Sequence, residues 1–412
     1  MKRFTAVFLV VLFLFLSGCK NSASEYLSDI CGYFENLVYS LTGTEEIDKS
    51  EIVVIDPKDI TNDYRQLSAY NRLTKNQKHL YNIMQSAVTD MQLKLINVTK
   101  YSSENLFSDV TVAQKALISD RPDIFWMPKA VSVVTPGAKG ERYICFRDYD
   151  KKTDQIGYYG ITKKQKQKML SEIDEVTNEI SAELNRIESA FDKELYIHDY
   201  LCKNIIYDDD SADNLEHADN DSLTIYGALV KGKAICEGYS KAMQYLCLKS
   251  GLNCTVVYGE ADGSPHMWNA IDFGGEQYYL DVTFDDGSDD FTVHNYFNIT
   301  KKQAEKEHKF YDEFSVHKSY SESDNFTFFC DDCENTTFNY YENKKAYIEK
   351  DCAKAVKAVL SAAQSGETKV ELQNRTSMSP DDTVDLLALK LLGRKIIKKY
   401  YSYESNVIIV TW

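Results

Sequence analysis

The sequence predicts an α+β fold, with helices and an antiparallel sheet in separate stretches of chain, and three observations carry that prediction. Amphipathic stripes run through the first half; the clearest joins Met169, Ile173, Val176, Ile180, Leu184 and Ile187 along one helical face. A strand–turn–strand pattern follows, in which His266–Phe273 and Glu276–Phe284 flank Gly274-Gly275, a two-residue hairpin signal. After about residue 325 helical and strand patterns alternate, which suggests a small α/β appendage. A chain of 412 residues has room for two or three domains.

The first residues predict where the protein works. Met1-Lys2-Arg3 is basic, and Phe4 to Leu16 is apolar apart from Thr5. That run falls short of the ~20 residues a spanning helix needs, so residues 1–18 read as an export signal. Leu16-Ser-Gly-Cys19 resembles the lipobox of bacterial lipoproteins, which implies that Cys19 is lipidated and becomes the new N-terminus. The alternative is an ordinary cleaved signal with an incidental cysteine. The expected mature protein is a body held by its lipid anchor on the extracytoplasmic face of the cell membrane. The full chain has 47 Lys and Arg against 63 Asp and Glu, and removing Lys2 and Arg3 makes the body more acidic still, which disfavours nucleic acid and anionic lipid headgroups as partners.

The elements follow in order. Residues 19–50 are polar and weakly patterned, a tether. Residues 51–190 read as a mainly helical N-terminal region. Thr74 and Gln77 form a capping-box pattern ahead of Leu80, Ile83, Met84, Ala87 and Val88. A second helix over Val112–Ile118 ends before Arg121-Pro122, since proline forbids simple continuation. Ile124–Met127 and Tyr143–Phe146 read as strands or extended core segments. The long 169–187 stripe is a packing face and not a site. Residues 191–320 carry the chemistry. Residues 325–412 form the α/β domain: a helix over Cys352–Ala363, a strand at Val370–Leu372, a helix opened by Ser379-Pro380, and a closing strand at Asn406–Thr411.

Within 191–320, Cys236, His266 and Asp281 stand in the order of a nucleophile, a base and the acid that orients the base. Cys236 starts a helix whose apolar face is Tyr239, Ala242, Met243, Leu246 and Cys247, with Ser250-Gly251 as its stop. Unpaired N–H groups and the positive dipole end at a helix start favour a thiolate and can hold an oxyanion. Gly232 and Gly238 on either side leave room for substrate to approach the backbone. Pairing across Gly274-Gly275 sets 273 opposite 276, 268 opposite 281 and 266 opposite 283. Period-two alternation then puts His266, Trp268, Asp281 and Thr283 on one face, with His266 and Asp281 diagonal neighbours at about 7–8 Å.

Lys231–Met243, His266-Met-Trp-Asn269 and Tyr279-Leu-Asp281-Val-Thr-Phe284 together resemble the core motifs of the transglutaminase-like superfamily, a papain-like fold. Ile197–Leu201, Tyr207-Asp208 and Thr224–Leu229 resemble the helical lead-in of its bacterial members. The resemblance covers about 110 residues and leaves both flanks unaccounted for. It implies a Cys-bearing helix packed on an antiparallel sheet, with Cys236 as nucleophile, His266 as base and Asp281 as its orienter. Phe284 departs from the tryptophan common at that place. Members often add an upstream side-chain donor to the oxyanion hole; Tyr207 and Tyr226 are the candidates this sequence offers.

The implied chemistry is acyl transfer from an amide through a thioester on Cys236, with water as acceptor in a peptidase or amidase and an amine in a cross-linking transamidase. The expectation is hydrolysis, on a protein or peptide substrate that includes cell-wall peptide. The competing reading is a non-catalytic, lipid-anchored peptide- or cell-wall-binding module on the same fold. No cofactor and no metal are expected. Asp285–Asp290 lacks calcium-loop spacing and reads as a solvated acidic loop. Cys330-Asp-Asp-Cys333 is a lone CxxC, a local disulfide or a free pair sooner than a zinc site. His198 reads as a satisfied core histidine.

Overall fold

Local chemistry fixes the first helices. At Thr74, Oγ1 accepts from Gln77 N (3.3 Å) and the Thr74 N–H donates to Gln77 Oε1 (3.0 Å), so the capping box starts the helix Lys75–Thr89. Its buried face includes Leu80, Ile83, Met84, Ala87 and Val88 and packs on the helix Leu106–Asp120. Asp120 ends that second helix and accepts from Ala69 N (2.7 Å) and Tyr70 N (2.8 Å). The structure, a computed structural model, describes residues 52–55, 69–93, 95–101, 105–128, 131–135, 140–146, 161–213, 220–287, 292–310, 333–391, 398–402 and 406–412. Cys19, the expected signal and tether, and Cys330 lie outside the described residues.

The N-terminal region adds a small sheet to its helices: β1 (Ile52–Val53), β2 (Leu95–Asn97), β3 (Val131–Val134) and β4 (Tyr143–Phe146), in the order β1-β2-β4-β3. Tyr143–Phe146 is thus a strand, as its pattern suggested, but Ile124–Met127 is not. There the turn bonds Ile124 N to Arg121 O (3.0 Å) and Met127 N to Ile124 O (2.9 Å) bury all four side chains without a ladder. A short apolar run reports burial and not geometry. The helix Lys163–Leu184, capped by Thr162, buries Met169, Ile173, Thr177, Ile180 and Leu184.

The central region joins the helices Ala190–Asn204 and Cys236–Lys249 to an antiparallel sheet. The parallel pair β5 (Ile206–Tyr207) and β6 (Lys233–Ala234) leads the chain into Cys236. The sheet is β7 (Asn253–Ala261), β8 (Ser264–Phe273), β9 (Glu276–Leu280) and β10 (His308–Phe310), in the order β10-β7-β8-β9. The Cys236–Lys249 helix packs on β7 and β8. Gly274 and Gly275 take φ of 69° and 100°, the left-handed region a two-residue hairpin turn demands. The register Phe273↔Glu276 through Asn269↔Leu280 is the one expected. The return strand stops four residues early, however: Asp281 leaves the ladder and caps a short helix, Val282–Asp285.

The C-terminal residues build a second core from β11 (Tyr347–Ile348), β12 (Lys369–Asn374), β13 (Lys398–Ser402) and β14 (Val407–Thr411), in the order β11-β12-β14-β13, with the helices Ala353–Gln364 and Pro380–Lys390. Ser379 Oγ accepts from Asp382 N (3.1 Å), and Pro380 occupies the first helical position. The class is α+β. Among the described residues no helix is long and apolar enough to cross a membrane.

The space beside Gly238 is taken by the chain itself and not left for substrate. A Cβ there would stand 2.6 Å from Ser222 O and 2.7 Å from Ala234 Cβ. Gly238→Ala should therefore cost about 1–3 kcal/mol, the usual penalty of overpacking. The check is the midpoint of urea unfolding, which falls if the contact is as tight as described and stays put if it is not.

Candidate active site

Cys236 is a buried thiol, 9% exposed, at the first residue of its helix. The preceding N-cap is Ile235, whose side chain offers no oxygen to the first-turn N–H groups. Those donors are the groups an anion would find at a helix start. Two bonds lock this helix to the strand that carries His266. Ser240 Oγ donates to Met267 O (2.8 Å), and Asn269 Nδ2 donates to Ser240 O (2.9 Å).

His266 Nε2 lies 2.6 Å from Asp281 Oδ2. Cys236 is a second hydrogen-bond partner of the same ring. The ring is held between Phe284 (centroids 4.8 Å apart) and Trp268 (5.9 Å, 21° between planes). Cys236, His266 and Asp281 are therefore brought together, by a route that differs from the expected one. Because β9 ends at Leu280, Asp281 meets His266 as a helix cap and not as a diagonal strand neighbour, and Thr283 does not share the sheet face.

Asp281 is 1% exposed and uses both oxygens. Oδ1 accepts from Thr283 N (3.0 Å) and Phe284 N (3.2 Å). Oδ2 faces His266 and also His308 Nε2, at 2.8 Å. The sequence reading missed His308. It lies on β10, beyond the hairpin, and only the pairing Ala261↔His308 on the far edge of the sheet brings it to the site. Its 3% exposure and its Nδ1, which finds no partner among the described residues, mark it as part of the buried site.

Electrostatics follow from this packing. Burial works against a charge on His266, but the Asp281 carboxylate and its hydrogen bond, reinforced by Cys236, outweigh it and push the imidazole up to about 10. Burial likewise works against the Asp281 charge, and the charge and hydrogen bond of His266, joined by His308, hold the carboxyl well below the usual range. The two partners agree in direction: the pair is ionic at neutral pH.

The remaining expectations divide. Tyr207 stands close enough to Cys236 to feel its charge, whereas Tyr226 turns away, with its hydroxyl on Glu172 (2.9 Å) and its ring on Phe125. Of the acidic run 285–290, Asp285 and Asp286 are not a solvated loop, and Ser288, Asp289 and Asp290 lie outside the described residues. Asp285 is fully buried against His198 Nε2 (3.2 Å), and Asp286 accepts from the Tyr239 hydroxyl. Sequence alone could not show that the chain turns inward there. Cys333 is buried and Cys330 lies outside the described residues.

Asp281→Asn removes the charge that both imidazoles share and should cost about 3–5 kcal/mol near pH 6. His266 is raised in the folded state, so its share of that stability is fully present below its unfolded value of 6.5 and is lost as pH rises through about 10. The gap between wild type and Asp281→Asn should therefore narrow from pH 6.5 to 10 in chemical denaturation. A gap that stays constant over that window contradicts the assignment.

Comparison with known proteins bears on the same stretch. Residues 176–282 match the family described as the Transglutaminase-like superfamily, and Cys236, His266 and Asp281 all fall inside the match. Among solved structures, the chain is similar to one described as "Crystal structure of a TGase", at 17% identity and a TM-score of 0.28, over 40% of this chain and 47% of that one. It is also similar to "a Putative Cysteine Protease from Cytophaga hutchinsonii", at 13% identity and a TM-score of 0.23, over 38% of this chain and 62% of that one. Less than two thirds of either solved chain is spanned. Comparison with curated proteins gives no match. Residues 176–282 of this chain are a transglutaminase-like superfamily domain.

Proposed function

We propose that this chain is a membrane-anchored thiol enzyme of the cell envelope that hydrolyses amide bonds in protein or peptide substrates, cell-wall peptide among them. One observation carries the reading: a single imidazole stands between a buried carboxylate and a thiol at an uncapped helix start. In the resting ion pair the Cys236 proton already sits on His266, and Sγ attacks the carbonyl carbon as the C=O pair moves onto oxygen. First-turn N–H groups beside Ile235 face that oxyanion. Its collapse breaks the C–N bond, the departing amine takes the proton from His266, and an acyl-thioester remains on Cys236. Water then gives a proton to His266 and its oxygen to the acyl carbon. The C–S bond breaks and a carboxylic acid leaves.

Asp281 holds the ring in place and favours the imidazolium that forms in each half-reaction. To Tyr207 we assign a hydroxyl bond to the oxyanion. Burial, and then the charge on Cys236, push its phenol up to about 12, so it keeps its proton to donate at neutral pH. The basic-apolar leader and Leu16-Ser-Gly-Cys19 support anchoring through Cys19 on the extracytoplasmic face.

Cys236→Ala should lower release of new carboxyl groups from casein or peptidoglycan fragments at least about a thousandfold. Mass spectrometry of the products with and without added amine reads the acceptor: acid in both supports hydrolysis, and an amine adduct assigns transamidation instead. No turnover, with Cys236 alkylated by iodoacetamide at pH 6 no faster than an ordinary thiol, leaves the binding-module reading. For the anchor, Cys19→Ala should move the protein from the membrane to the soluble fraction of a bacterial host, and a variant that stays with the membrane overturns the lipid assignment.

A further inference from the structure

A second cluster of histidines and carboxylates lies away from the thiol. His198 and Asp199 are neighbours near the end of the helix Ala190–Asn204, and His294 comes from the segment after the Val282–Asp285 helix. His198 Nδ1 and His294 Nε2 both point at one oxygen, Asp199 Oδ1, at 3.0 Å and 2.8 Å. The three ligand atoms lie within 4.8 Å of one another. Each ring gives its outer nitrogen to a buried carboxylate: His198 Nε2 to Asp285 Oδ2 (3.2 Å) and His294 Nδ1 to Glu371 Oε2 (2.6 Å). Those carboxylates are themselves fixed. Tyr296 N donates to Asp285 Oδ1 (3.0 Å), and His294 N (3.0 Å) and the Tyr341 hydroxyl donate to Glu371 Oε1.

The donor inventory poses a question. A neutral imidazole that gives its outer N–H to a carboxylate presents a lone pair on the inner nitrogen. Two such lone pairs would then face one carboxylate oxygen, which has no proton to offer them. Either protons fill the gap, on both rings as imidazolium ions whose centroids lie 5.0 Å apart or on an outer carboxylate that then donates to its ring, or a cation sits among the three atoms. The second arrangement is that of a metal-ligating histidine whose far N–H is held by a carboxylate, the partner that sets its tautomer and raises its basicity. It occurs here twice.

We propose that His198, Asp199 and His294 form a binding site for a divalent transition ion, zinc being the fit, oriented from outside by Asp285 and Glu371. Two imidazoles and one carboxylate are a donor set zinc accepts, with one position left over. Ligand atoms about 2.0–2.1 Å from zinc stand about 3.3 Å apart in a tetrahedron, so a small opening of the trio admits the ion. The open side is defined as well. The Asp199 side chain is 48% exposed and lines a cavity of about 820 Å³, whose wall includes Tyr340, and that ring stacks on His294 at 3.9 Å. A water or an anionic ligand would reach the ion from there. The ion would tie the Ala190–Asn204 helix, the 292–299 segment and, through Glu371, β12 into one unit. His198 is then a ligand, contrary to its reading as a satisfied core residue.

Metal analysis of the full-length chain, purified without chelator or metal-affinity resin, tests the site. About one zinc per chain is expected, and cobalt(II) in its place should show the visible bands of a four- or five-coordinate ion. Asp199→Asn, at a half-exposed position and so expected to fold, should weaken zinc at least about tenfold, and Glu371→Gln about 10–100-fold. His266, Asp281 and His308 are a second trio of possible ligands, so the double variant Cys236→Ser/His266→Gln serves as control and should keep its zinc. The proposal fails if the chain holds no zinc and gives cobalt only its aquo spectrum. It fails equally if the ion is lost from the control and kept by Asp199→Asn.

Discussion

The buried carboxylate of Asp281 is the constraint around which the site is arranged. A charge this deep is tolerable only if every lone-pair direction is answered, and here two backbone N–H groups answer one oxygen and two imidazoles the other. Each partner arrives from a different piece of chain: the Val282–Asp285 turn, β8 and β10. Satisfying one charge therefore fixes the end of β9, the ring plane of His266 and the position of the sheet edge together. The Cys236 helix needs only its links through Ser240 and Asn269 to take its place beside this assembly.

Much of this was legible because the relevant signals are local. The Gly274-Gly275 turn sets the hairpin register within two residues, and the stripe from Tyr239 to Cys247 points one face of the Cys236 helix inward. What escaped depends on tertiary position. Nothing near residue 281 announces that the strand will stop and the carboxylate will turn to cap a helix, since Asp is equally at home beside a strand or at an N-cap. His308 is invisible for a related reason: β10 pairs with β7 across a sequence gap that no short pattern records. In the flanks, the buried run Ile124–Met127 matched a strand in hydrophobicity while its backbone made turns.

Asp281 and Asp285 sit one helical turn apart, with the Asp285 N–H on the Asp281 carbonyl at 3.1 Å. One faces the imidazole beside the thiol and the other faces His198, so a single turn of helix joins two buried polar groups. Asp286 adds a third tie, through Tyr239, back to the Cys236 helix. The turn thus carries a carboxylate for each cluster on one short stretch of backbone.

Glu371 gives this coupling a bearing on domain boundaries. It belongs to β12, yet one of its oxygens completes His294 and the other takes the His294 N–H and the Tyr341 hydroxyl. A chain trimmed to the family-matched residues 176–282 would lose Asp285, His294 and Glu371 together, leaving His198 without Asp285 and Asp199 without His294. The minimal folding unit is thus longer than the region that similarity marks out. The C-terminal residues are tied to the central region through Glu371 and through Tyr341, whose hydroxyl also meets Asn295 at 3.1 Å.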